Sequence, residues 1–196
     1  MAAVFALTFA NAQDKKEKKE ASFGFSEGDF YLGGRVQYNS TKNDNGTTSV
    51  TTTTTNFSPE AGYFLSDKFA ITAGLAIGGT DNGTTKDKTF GVKVGGRYYF
   101  LNLGERFKTF TNFGIGFGSD DNGGNSAPKT NTLSVGGGLG MNYFITPSLA
   151  IDFGLANVLS YDSSKTDSAK TSSLDLNANV FNNFFGTTTF GLIYKF

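Results

Sequence analysis

From Phe30 onward, large apolar residues alternate with small or polar ones at a period of two, the signature of strands with one greasy and one polar face. Eight segments follow from the parity of the apolar positions. The first runs from Phe30 to Tyr38, with Phe30, Leu32, Val36 and Tyr38 on the apolar side. Asn56 to Leu65 carries Phe57, Ala61, Tyr63 and Leu65; Phe69 to Gly78 carries Phe69, Ile71, Ala73, Leu75 and Ile77. Thr89 to Phe100 carries Phe90, Val92, Val94, Tyr98 and Phe100, and Phe107 to Gly118 carries Phe113, Ile115 and Phe117. Thr132 to Phe144 has Leu133, Val135, Leu139, Met141 and Tyr143, and Leu149 to Leu159 has Leu149, Ile151, Phe153 and Leu155. The last segment, Thr189 to Phe196, has Phe190, Leu192, Tyr194 and Phe196 on one side, with Gly191 and Lys195 on the other.

Connection lengths alternate as well. Ser66 to Lys68, Leu101 to Arg106 and Ile145 to Ser148 are short, whereas Asn39 to Thr55, Gly79 to Lys88, Gly118 to Asn131 and Ser160 to about Ser172 are longer and polar. Long and short ends therefore sort to opposite rims, which predicts an all-β fold, an eight-stranded antiparallel up-and-down transmembrane β-barrel. Asp-Asn-Gly recurs in three long connections, at Asp44, Asp81 and Asp121, and reads as a turn because Asn-Gly tolerates positive φ. None of the three has the ligand spacing of a calcium loop. Thr51 to Thr55 reads as flexible solvated chain. Between Ser173 and Phe185 a further alternation, Leu174, Leu176, Ala178 and Val180, reads either as an extension of the last strand or as a bulged start to it.

The charged residues decide which face is which. Arg35, Glu60, Lys93, Arg97, Lys108, Asp152 and Lys195 all lie on the parity opposite the large apolar residues, and so do Gly62, Gly74, Gly95, Gly114, Gly136, Gly140 and Gly191. An eight-stranded barrel is barely wide enough for its own side chains, so long cations on its inner wall need small neighbours. The reverse arrangement, an apolar interior as in a soluble lipocalin-like ligand carrier, would overfill that space and expose bare glycine. A strand of about 11 residues rising ~3.3 Å each at a tilt of ~40° spans roughly 28 Å, against an apolar membrane band of ~25 Å. Aromatics near the strand ends, such as Tyr63, Tyr98, Phe100 and Tyr194 at one level and Tyr38, Phe57, Phe90 and Phe117 at the other, fit interfacial girdles.

Composition narrows the function. The 196 residues contain no His, Cys or Trp, but 21 Phe, 8 Tyr and 26 Gly. Thiol, zinc and Ser-His-Asp chemistry lose their side chains, and no metal or cofactor is expected. Lys+Arg and Asp+Glu balance at 17 each, which suggests no nucleic-acid partner. No apolar run approaches the ~18 residues of a spanning helix. Ala2 to Phe9 is a short apolar run followed by Ala10-Asn11-Ala12, which reads as an export signal over residues 1–12, whole or the end of a longer one, with cleavage before Gln13. Residues 13–29, rich in Lys and Glu up to Glu20, read as a polar N-terminal tether to a barrel over 30–196.

The alternating C-terminal segment resembles the assembly signal of bacterial outer-membrane β-barrel proteins, in which Phe190, Leu192, Tyr194 and Phe196 would be the residues read by the assembly machinery. With the loop alternation and the export signal, residues 30–196 resemble the small outer-membrane barrel families, the OmpX, OmpW and OmpA-barrel type and the beta-barrel proteins of Bacteroidetes. That resemblance implies an exported, monomeric protein of the cell outer membrane whose partners are outer-membrane lipids, lipopolysaccharide and the barrel assembly machinery. The leading expectation is a non-enzymatic barrel with a structural or surface-interaction role. Its lumen would be closed by an ion-pair network of Arg35, Lys93, Arg97 and Lys108 with Glu60 and Asp152, helped by Gln37, Asn112 and Asn142. The alternatives are a narrow, weakly anion-selective porin and the soluble carrier.

Overall fold

In the computed structural model, residues 22–123, 127–177 and 189–196 are described; the export segment, Ala178 and Val180 lie outside them. Nine strands follow one another: β1 (Phe30–Asp44), β2 (Ser49–Ser66), β3 (Phe69–Asp81), β4 (Thr89–Leu103), β5 (Phe107–Asp120), β6 (Thr130–Phe144), β7 (Leu149–Thr166), β8 (Ala169–Leu176) and β9 (Thr189–Lys195). Each of β1 to β7 pairs antiparallel with the next, and β9 pairs with both β7 and β1, which closes an eight-stranded barrel. The ninth strand, β8, pairs with the half of β7 that β9 leaves, from Leu159↔Leu176 to Thr166↔Ala169.

The two faces sort by parity. On the outside stand the apolar residues of the alternation, with Val36 69 %, Phe90 53 %, Phe113 54 % and Leu192 55 % exposed. Inside, Tyr31, Phe64 and Phe144 are wholly buried and Phe110 nearly so. The soluble carrier required the opposite placement, so that alternative falls: its lining residues Leu32, Ile71, Val92 and Val94 face outward. A 15-residue strand such as β1 rises roughly 38 Å at ~3.3 Å per residue and ~40° tilt, well beyond a ~25 Å apolar band. The surplus lies at the long-loop rim.

There the structure corrects the sequence. The segments Asn39 to Thr55 and Ser160 to Ser172 are tall hairpins and not loops: Thr51 to Thr55 pairs residue by residue with Tyr38 to Lys42, and β7 continues to Thr166 before turning. Threonine is β-branched and favours extended backbone whatever its polarity, so a polar run is not a loop on that account. Hydroxyl pairs join neighbouring strands, Thr54 to Thr80 at 3.1 Å and Thr132 to Ser164 at 2.9 Å. The Asp-Asn-Gly tripeptides form the turns. At the first, Asp44 Oδ1 accepts from Gly46 N at 2.9 Å and Asn45 Oδ1 from Thr48 N at 2.8 Å; Asp81 and Asn82 repeat the arrangement with Gly83 N and Thr85 N at 2.9 and 2.8 Å. Gly46 and Gly83 sit at φ near 81° and 82°, where a Cβ would be strained. The Gly83 amide holds the Asp81 carboxyl below the usual carboxylate range, and the Lys88 amide does the same for Asp121. Of the alternating run after Ser173, Ser173 to Leu176 belongs to β8.

Residues 22–29 correct it again. Of the polar tether expected over 13–29, residues 13–21 lie outside the described residues, while Phe25 sits across the short-turn end of the barrel, stacked on Phe64 at 4.3 Å and against Phe144 and Tyr99 at 5.1 and 5.2 Å. Gly28 N donates to Phe64 O and Phe64 N to Asp29 O, both at 2.9 Å, so the segment is bound by backbone as well as by rings. Lys195, inward on β9, reaches Gly24 O at 2.6 Å and lies 3.7 Å from Asp29.

Glycine makes room for this interior. A Cβ on Gly62 would lie 2.0 Å from the Tyr31 ring, one on Gly140 2.2 Å from the Phe110 ring, and one on Gly191 2.7 Å from Arg35 Cγ. Gly62→Val is therefore expected to lose the folded form in detergent, seen as loss of the fast-migrating unheated band on gels. A Gly62→Val, Tyr31→Ala double variant regains it, since the clash is with one ring.

Candidate functional site

At mid-height, five charged side chains meet across the lumen from four strands. Period-two alternation turns Arg35 of β1, Glu60 of β2, Lys93 and Arg97 of β4 and Asp152 of β7 inward, and the registers Gly33↔Glu60 and Asp152↔Gly191 bring them to neighbouring levels. Arg97 is the centre. Its Nη1 donates to Asp152 Oδ1 at 2.8 Å and its Nη2 to Glu60 Oε1 at 2.5 Å, and the guanidinium lies 4.4 Å from the Phe110 ring centre. Asp152 also accepts from Arg35 Nη2 and, at 2.8 Å, from Asn142 Nδ2, whose own Oδ1 accepts from the Tyr99 hydroxyl at 2.7 Å. Glu60 accepts from the Tyr31 hydroxyl at 2.8 Å and lies 3.4 Å from Lys93 Nζ.

Burial is what makes the arrangement necessary. Arg97 and Asp152 are each 3 % exposed, and an ionised group taken that far from water needs a partner and hydrogen bonds for nearly every polar atom. Arginine suits the centre because its planar fork serves two carboxylates at once. Lys93, at the edge, keeps its side chain 48 % exposed.

Of the six residues expected here, Lys108 stands outside. It is the second residue of β5, at the short-turn rim below the aromatic layer, and its Cε lies 3.0 Å from where a Gly24 Cβ would be. Its cross-strand neighbour is Asn142, yet among the described residues no ion pair joins it to Glu60 or Asp152. Asn142 joins the network as expected, whereas Gln37 accepts from Asn56 at 3.0 Å in an exposed position. Tyr31 and Tyr99 also belong to the network and share the inward parity, a signal that the sequence carries but that a count of charged and amide side chains leaves out.

The interior is thus layered. Phe25, Phe64, Tyr99, Phe110 and Phe144 fill the short-turn end, the charge layer lies above them, and beyond it opens a cavity of about 810 Å³ toward the long-loop rim. Ser58, Lys93, Asn112, Thr132, Ser134 and Asp162 are among its lining residues. No group of three or more possible metal ligands occurs among the described residues. The seam is made by β9: Phe190, Leu192, Tyr194 and Phe196 face outward, half exposed or more, and Phe196 N donates to Phe30 O at 2.9 Å.

A family model described as the outer membrane protein beta-barrel domain matches residues 1–195. The chain belongs to that family. Among solved structures the barrel is similar to the outer membrane protein OprG of Pseudomonas aeruginosa, with 16 % identity and a TM-score of 0.52 over 88 % of this chain and 98 % of that one. Neisserial surface protein A, at 18 % identity and TM-score 0.49, covers 87 % of this chain and all of its own, 100 %. Outer membrane protein W of E. coli, at 13 % and 0.47, covers 87 % and 99 %. A search of curated proteins finds no match. Identities this low speak to fold alone, which leaves the function of this barrel to its own residues.

Proposed function

We propose that the protein is a non-enzymatic, monomeric outer-membrane barrel with a structural or surface-interaction role, its lumen closed and its contacts made by the hairpins of the long-loop rim. The observation that carries the reading is closure in series. Arg97 is bound to both Asp152 and Glu60 across the lumen, and below it Phe25 is stacked among Phe64, Tyr99 and Phe144. Export across the periplasm through a signal within residues 1–12, and recognition of Phe190, Leu192, Tyr194 and Phe196 by the assembly machinery, complete the proposal; the outward apolar belt would meet lipid and, at the outer leaflet, lipopolysaccharide. No side chain offers a nucleophile with a histidine base, since the sequence has no His.

Planar-bilayer recording tests the closure. The purified, refolded protein is expected to give no discrete conductance steps at moderate voltage. A second reading, a narrow pore with weak anion preference, is favoured by one feature: the layer holds three cations, Arg35, Lys93 and Arg97, against two carboxylates, beneath the larger cavity. Anion-biased steps in the wild type that disappear when Arg97 is neutralised would install that reading in place of the first.

A further inference from the structure

The charge layer has more donors than acceptors. Both carboxylates are spoken for: Asp152 takes Arg97, Arg35 and Asn142, and Glu60 takes Arg97, Tyr31 and Lys93. Arg35 Nε remains, buried and without a hydrogen-bond partner among the described residues. Beside it lies a small second cavity of about 30 Å³, lined by Arg35, Lys93, Arg97, Glu60, Asp152 and Ser58 among others. That volume suits one water or one monatomic ion.

Charge separates the two occupants. Three cations against two carboxylates leave the cavity walls with a surplus of one positive charge, set between Arg97 and Asp152, almost wholly excluded from solvent, and the side chains of Arg35 and Lys93, 25 % and 48 % exposed. A water would satisfy the Arg35 donor and leave the surplus. A monovalent anion does both. We infer that the ion-pair layer holds a single small inorganic anion of the halide class, accepting from Arg35 Nε and lying toward Lys93. The larger cavity shares Ser58, Glu60, Leu75, Lys93 and Arg97 with the small one, which gives the ion a route from the long-loop rim. The inference is independent of whether the lumen conducts, because a bound ion can complete a closed layer as well as occupy a pore.

Bromide is the probe. Crystals of the full refolded chain grown in sodium bromide are expected to show an anomalous peak within hydrogen-bonding distance of Arg35 Nε. In Lys93→Gln, whose layer is neutral and whose altered side chain is half exposed, the peak is lost. In solution, the heat-shift midpoint of the wild type rises in bromide relative to gluconate at equal ionic strength, by roughly 3–6 °C if bromide is at ten times its Kd. Lys93→Gln shows the general salt effect without that increment. An oxygen-like peak with no anomalous signal, or a bromide peak and increment unchanged in Lys93→Gln, would overturn the inference.

Discussion

Arg97→Ala is expected to destroy the folded barrel's resistance to heat. The substitution removes the one cation that contacts both Asp152 and Glu60, leaving Asp152, only 3 % exposed to solvent, with Arg35 and leaving Glu60 with Lys93 at 3.4 Å. Breaking a buried pair in this way costs about 3–5 kcal/mol, and the cations that stay, Arg35 and Lys93, have side chains 25 % and 48 % exposed and do not replace the fork that joins the two carboxylates. Total stability of a domain is of order 5–15 kcal/mol, so the loss is a large share of it. Gel mobility of unheated and heated samples across a temperature series reads it: the wild-type transition moves down steeply, or the fast-migrating form is absent. Arg97→Met combined with Arg35→Gln and Asp152→Asn recovers part of the transition temperature, because Asp152 is then neutralised together with both of its cations and Glu60 keeps Lys93. A triple variant no better than Arg97→Ala would place the damage in packing against Phe110 and Tyr31 and not in charge.

Val94→Arg is expected to be nearly as damaging from the other side of the wall. Val94 lies at the middle of the apolar run of β4 and is 56 % exposed in the absence of lipid, so its surroundings in the membrane are hydrocarbon. An arginine at the bilayer midplane of a barrel costs about 2–4 kcal/mol and near the interface about 0–1 kcal/mol. Val50→Arg is the matched control: Val50 is also exposed, 46 %, but sits in the polar hairpin beyond the apolar band, and its substitution is expected to stay within ~0.5 kcal/mol. Urea-dependent folding into liposomes, followed by the same gel shift, gives both values. Equal effects at the two positions would remove the membrane from the argument.

Periodicity made the barrel readable from the chain, and it failed where periodicity is silent. In Phe69–Asp81 or Thr89–Leu103 one parity is apolar and the other glycine or charge, so register, face and neighbours follow from counting. In Thr51 to Thr55 both parities are polar, no face is buried, and alternation gives nothing to count. The strand forms there because threonine favours extended backbone and the partner strand continues beside it. Phe23-Gly24-Phe25 alternates over too few residues to be read as a strand; its role depends on where the barrel places Phe64, Tyr99 and Phe144, which is a tertiary fact.

The charge layer was legible to the same degree. Parity identifies Arg35, Glu60, Lys93, Arg97 and Asp152 as inward, and height along each strand decides which of them meet. Lys108 has the right parity and the wrong height, because β5 begins at Phe107 and its second residue lies at the rim. Tyr31 and Tyr99 illustrate the converse. An aromatic on the inward parity near a short turn is a base-filling residue whose hydroxyl can serve the layer above, as Tyr31 does for Glu60 at 2.8 Å and Tyr99 for Asn142 at 2.7 Å.

All of this stands on which side chains of the wall face lipid, and β4 tests that most directly. The sequence has no Cys, so single cysteines from position 90 to 99 of β4 can each carry a spin label in liposome-embedded protein, read against a lipid-soluble and a water-soluble relaxant. The expected record alternates: the lipid-soluble relaxant dominates at 90, 92, 94 and 98 and is weak at 91, 93, 95 and 97. A record of opposite phase, or one with no period of two, would contradict the account.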